Sequence, residues 1–259
     1  MTTEPEAALQ HLVETWRARM AEGRIEETRR LFADALAAAP APSHTRIQAL
    51  YADGLLAFRQ GDQAATRARN EEALALARQL GDDVGVSLAL VGLSRVAFRD
   101  GDYERVCALA SEARELARAA GELRDQTGPL HLLAAGTRLS GDYNRARELY
   151  LESIELNRGL GNEHMVANEL HNLGHVELHR GDLEAAERNF AACTELRAGT
   201  GNPYDLAMER INAAALAFAR GDHDRASRLL DEGEGTLAEA GIALDPDDRF
   251  EVDLLRSRL

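Results

Sequence analysis

Gly181-Asp182-Leu183-Glu184-Ala185-Ala186 contains the step on which the rest of the chain is patterned. Its first two residues recur as Gly61-Asp62, Gly101-Asp102, Gly141-Asp142 and Gly221-Asp222, at a constant spacing of forty residues. A second glycine ladder of the same period falls halfway between them, at Gly81, Gly121, Gly161, Gly201 and Gly241. Self-similarity at such a period marks a stacked array of one supersecondary unit. Glycine closes a helix because it accepts left-handed backbone without a Cβ penalty. Aspartate opens the next one, because its carboxylate accepts orphan amide hydrogens and complements the helix dipole. One dipeptide therefore ends a helix and starts another, which predicts tight antiparallel helical hairpins.

Working outward from the steps, apolar columns share the period. Leu50, Leu90, Leu130 and Leu170 are forty residues apart, as are Phe58, Phe98, Leu178 and Phe218; Arg138 is the one departure in the second column. Gly54, Ser94, Ala134, Gly174 and Ala214 form a column of small residues that lets paired helices approach closely, and Ala146, Ala186 and Ala226 form another. The first hairpin is out of phase, Gly23 lying 38 residues before Gly61, and Pro40-Ala41-Pro42 ends its second helix. Trp16 and Phe32 read as the core of that hairpin. At the other end, Asp245 reads as an N-cap with Pro246 at the first helical position. The expected architecture is all-α: an α-α superhelix of about six hairpins plus a C-terminal capping helix that solvates the last of them. The units run approximately over 5–39, 45–81, 84–121, 125–161, 164–201 and 204–241, with the capping helix at 246–258, in a single domain spanning 1–259.

Composition sets the bounds on function. The chain has 259 residues and a net charge of -14, and all thirty of its basic residues are arginine. That balance opposes broad binding to nucleic acid or anionic lipid, where phosphate neutralisation supplies most of the affinity. No apolar stretch is long enough for a membrane span, and the first thirty residues lack the apolar core of a leader. Cys107 and Cys193 are too few for a disulfide framework and read as thiols in a reducing cytoplasm. A cytoplasmic protein is expected.

The columns resemble the tetratricopeptide repeat. The best match is Leu170-His171-Asn172-Leu173-Gly174 followed by Gly181-Asp182-Leu183-Glu184-Ala185-Ala186, Phe190 and Cys193, with Gly101-Asp102-Tyr103 and Gly141-Asp142-Tyr143 also fitting the pattern. The units here are forty residues rather than the usual thirty-four, and Leu-Gly-Asp or Leu-Gly-Asn replaces the closing proline. In this they are similar to the repeat regions of actinobacterial transcriptional regulators. The resemblance implies a scaffold that binds a peptide or protein in a concave groove, or alternatively a ligand- or peptide-responsive sensor module related to those regulators.

No phosphate-binding glycine loop, nucleophile elbow or H-E-x-x-H pair accompanies the repeats, so neither catalysis nor a cofactor is expected. The most unusual constellation is His171, His175 and His179, four residues apart and thus aligned on one helix face. Two such histidines can share a metal ion. No cysteine joins them, however, and three rings in a straight row cannot converge on one ion, so no metal is assigned. By analogy with the repeat family, this column faces the groove. Candidate partner-binding residues on it are Tyr51, Arg59, Arg95, Arg99, His131, Asn168, His171, Asn172, His175 and His179. Arginine and asparagine would hold a peptide carboxylate or main chain by forked and amide hydrogen bonds. Two plainer readings stay open: the histidines are solvated or locally bonded, and Arg95 and Arg99 pair with carboxylates of neighbouring units. The aspartates of the Gly-Asp steps belong to different units and serve as caps. Homodimerisation through an end hairpin or the groove is also left open.

Overall fold

The computed structural model describes residues 4–199 and 201–259. Residues 1–3, where the segment read for a leader begins, and Thr200 in the fifth unit lie outside them. Among the described residues there are thirteen α-helices and no strand. In chain order they are α1 (Glu4–Ala21), α2 (Ile25–Ala38), α3 (His44–Arg59), α4 (Gln63–Leu80), α5 (Asp83–Arg99), α6 (Tyr103–Ala120), α7 (Leu123–Leu139), α8 (Tyr143–Gly159), α9 (Glu163–Arg180), α10 (Leu183–Arg197), α11 (Pro203–Ala219), α12 (His223–Ala240) and α13 (Pro246–Arg256). They fall into two compact units, Met1–Leu132 and Leu133–Leu259.

The turns form for the reason their residues suggest. At the step between α9 and α10, Gly181 has φ +81° and Asp182 accepts the Ala185 N–H at 2.9 Å. Asp62, Asp102, Asp142 and Asp222 each take the amide three residues on in the same way. The second ladder is less regular. Gly81 closes α4 in the left-handed region, but α10 ends at Arg197, where Ala198 turns to extended backbone (ψ 135°) ahead of the positive-φ glycines Gly199 and Gly201. Asn162 occupies the N-cap of α9 without making a side-chain capping bond.

In unit 1, α1 packs on α2, α3 on α4 and α5 on α6. Trp16 and Phe32 are buried in the first of these pairs, and Leu50 and Leu90 are buried in α3 and α5. In unit 2, α9 packs on α10 and α11 on α12. Ala186 and Ala226 are fully buried there, and a Cβ on Gly174 would stand 2.3 Å from Cε1 of Phe190. The small column is thus a close-contact requirement rather than a compositional habit.

The terminal helix departs from expectation in three respects. It stops at Arg256 rather than 258, and Asp245 occupies its N-cap without a side-chain capping bond. Nor does it only cap the last hairpin. Val252 and Leu255 pack into the core formed by Ala207, Met208 and Ile211 of α11, while Asp248 and Glu251 are buried against side chains of α9. Acidic groups that could have pointed to water are drawn inward by the histidines and arginine that meet them.

A candidate binding face under the terminal helix

The histidine row and the acidic flank of α13 meet residue by residue. His171, His175 and His179 recur one turn apart on α9, and Asp247, Asp248 and Glu251 recur at three- and four-residue spacing on α13, so each set lies along one face. His171 donates from Nε2 to Asp248 at 2.8 Å and accepts at Nδ1 from the Asn212 amide at 3.1 Å. The second oxygen of Asp248 takes the hydroxyl of Tyr204, which itself accepts the Asp245 N–H at 3.2 Å. One turn on, His179 donates from Nε2 to Glu251 at 3.0 Å. His175 Nδ1 lies 3.7 Å from the same carboxylate.

Arg138 completes the cluster. It is only 1% exposed, pairs with Glu251 through Nη1 and reaches Asp247 through Nη2 at 3.4 Å. Aromatic rings wall the row: Tyr143 stacks on His179 with centroids 4.5 Å apart, and Phe190 meets the edge of His175 at 5.1 Å. Arg256, on the opposite flank of α13, pairs with Asp231 at 2.8 Å and with Glu234 on α12.

The electrostatics follow from burial and pairing. Burial acts to push the Asp248 carboxyl up, but His171, lying beside it and hydrogen-bonded to it, and the bond from Tyr204 hold it well below the usual carboxylate range. For Glu251, burial is likewise outweighed by His175, His179 and Arg138, which bring it down to about 2. Burial pushes His175 down to about 3, against the pull of Glu251. Tyr204 is pushed up by burial and by the charges of Asp248 and Asp245, which keeps its proton available for donation. Among the described residues, no three His, Cys, Asp or Glu side chains are arranged to hold a metal ion.

The fold is shared with known structures. A Rap protein complexed with competence and sporulation factor superposes with a TM-score of 0.71, at 16% identity, over 99% of this chain and 71% of that one. NprR in complex with its cognate peptide NprX gives 0.64, at 15% identity, over 99% and 74%. A thermophilic TPR protein from Thermus thermophilus gives 0.58, at 20% identity, over 81% and 99%. The fold is the tetratricopeptide repeat. No family model matches the sequence, and no curated protein matches it either.

On this tetratricopeptide-repeat frame the ten candidate residues fall into separate settings. In unit 1, Arg95 donates to the Tyr51 hydroxyl at 3.2 Å with its guanidinium 6.0 Å from that ring, and Arg99 lies 4.0 Å over the Phe58 ring. Both arginines thus rest on aromatic rings. Arg59 is exposed and His131 half-buried. In unit 2, Asn168 accepts from Arg197 at 2.6 Å, and Asn172 is buried with an unpartnered Oδ1. His171, His175 and His179 are brought together under α13.

Sequence reasoning did not foresee Asp247, Asp248 and Glu251 as the partners of that row, nor Tyr204 and Arg138 beside them. Only Arg138 left a trace, as the departure in an otherwise apolar column. No described helix is long and apolar enough to cross a membrane.

Proposed function

We propose that this protein is a non-catalytic tetratricopeptide-repeat module that binds a peptide or a segment of another protein along the helix faces predicted to line its groove. One observation supports the reading best: a helical segment, α13, already lies on the histidine row through named polar bonds and an apolar edge. A face that holds one helix this way has the chemistry to hold another. In unit 1 the proposed binding residues are Tyr51, Arg59, Arg95, Arg99 and His131; in unit 2 they are Asn168, His171, Asn172, His175 and His179. With a net charge of -14, neither nucleic acid nor an anionic membrane is proposed as the partner.

A second reading is a peptide-responsive sensor module. It is favoured by the likeness to NprR, solved with its cognate peptide NprX, and to a Rap protein, solved with competence and sporulation factor.

The test is to identify a bound partner by affinity capture and titrate it against wild type and the Arg95→Ala/Arg99→Ala variant. These two arginines touch aromatic rings and no core carboxylate, so the fold should survive their loss. Affinity should drop at least tenfold at an unchanged melting temperature. Equal affinity would remove unit 1 from the binding face.

A further inference from the structure

Helix α13 has eleven residues, below the roughly 12–15 at which an isolated helix becomes even marginal in water. Its helicity therefore depends on the surface beneath it. That surface is matched to it in chemistry. Asp248 and Glu251, three residues apart, meet His171, His179 and Arg138, while Val252 and Leu255 meet Met208 and Ile211. The match is incomplete. Under α13, His175 Nε2, Arg138 Nε and Asn212 Oδ1 are buried and have no hydrogen-bond partner, although all three residues belong to the network. Beside the helix, a cleft of ≈ 230 Å³ lined by His175, Ile211, Phe218, Leu254 and Arg258 is left open. The bed is both larger and richer in donors and acceptors than its occupant uses.

Buried ion pairs add little net stability over apolar contacts of the same shape, but they select strongly for a partner of matching charge. A docking built on them is specific and exchangeable. We infer that α13 is an intramolecular occupant of the binding face in unit 2, and that this face takes an acidic amphipathic helix from a partner in exchange for α13. The partner helix presents Asp or Glu at the positions of Asp248 and Glu251 and apolar residues at those of Val252 and Leu255. Tethering places α13 at a high effective concentration, so a partner must either bind the bed better or arrive when α13 is weakened. The inference rests on the proposed function and gives it a chemistry and a control.

The probe is a fluorescein-labelled peptide with the sequence of residues 244–259, followed by anisotropy. Full-length wild type is compared with full-length Asp248→Asn/Glu251→Gln, and amide exchange reports on α13 in both. The variant should lose protection at Val252 and Leu255 and bind the peptide at least tenfold more tightly than wild type does. A peptide carrying the same two substitutions should bind at least tenfold more weakly than the native peptide. Equal binding by both proteins, no binding by the variant, or retained protection in α13 would each overturn the exchange. Dimerisation of the variant without peptide binding would overturn it too, because the face would then belong to a second copy. If the double variant loses protection in α9–α12 as well, Tyr204→Phe provides a milder opening, with the same graded outcome expected. The peptide readout does not involve Arg95 or Arg99, so its failure is distinguishable from failure of the function reading.

Discussion

At the residue scale, two positions decide more than their neighbours. Arg138 stands where the column otherwise carries Phe58, Phe98, Leu178 and Phe218, and it is almost fully buried. A guanidinium in such a place requires a carboxylate, and Glu251 supplies it. Arg138→Met should cost about 3–5 kcal/mol, because Glu251 is left buried without its permanent cation. Adding Glu251→Gln should recover part of that loss, and a double-mutant cycle of urea titrations measures the coupling. Gly174 is the second. A Cβ there would stand only 2.3 Å from Cε1 of Phe190, so Gly174→Ala should destabilise by about 1–3 kcal/mol through overpacking. Phe190→Leu in the same chain should relieve it, and melting temperatures check both. The sequence showed both positions as column members. That Gly174 meets Phe190 follows from the register between α9 and α10, which periodicity alone does not set.

At the scale of the element, α13 is the helix whose docking should respond to pH. The groups around its carboxylates are Arg138 from α7, Tyr143 from α8, His171, His175 and His179 from α9, and Tyr204 from α11. Burial lowers His175 from its ordinary 6.5 to about 3, against the pull of Glu251, so an exposed His175 binds a proton more readily than the buried one. That contribution is fully present above about 6.5 and is lost as pH falls toward 3. Glu251 is lowered from 4.5 to about 2, and Asp248 is also held below its ordinary 3.8. Their contributions are present above those ordinary values and fade as pH falls through them. Both effects have the same sign. Amide protection at Val252 and Leu255, followed from pH 7.5 to 5, should fall relative to that of α10, which carries no comparable buried charge. Protection that stays flat over this range would remove His175 from the docking balance. The row was legible in sequence because four-residue spacing is local. Its partners on α13 lie more than seventy residues away, and no spacing rule joins the two.

At the scale of the whole molecule, the repeated turns should act independently. In an array, each unit is stabilised by itself and its neighbours, and distant terms add. Asp102→Ala and Asp182→Ala remove caps in different units. Each should cost about 0.5–2 kcal/mol, and the double variant should match their sum to within roughly 0.5 kcal/mol. Denaturant titration of the three variants measures this, and a larger deviation would mean that the turns are coupled. By itself, the sequence determined the helices, the turns between them and the columns that pack, because capping and periodicity act over a few residues along the chain. Only the tertiary structure decided that the acidic flank of α13 lies on the histidine row. The partners of that network are set by the path of the chain after Gly241, and they belong together only once α9, α11 and α13 have folded against one another.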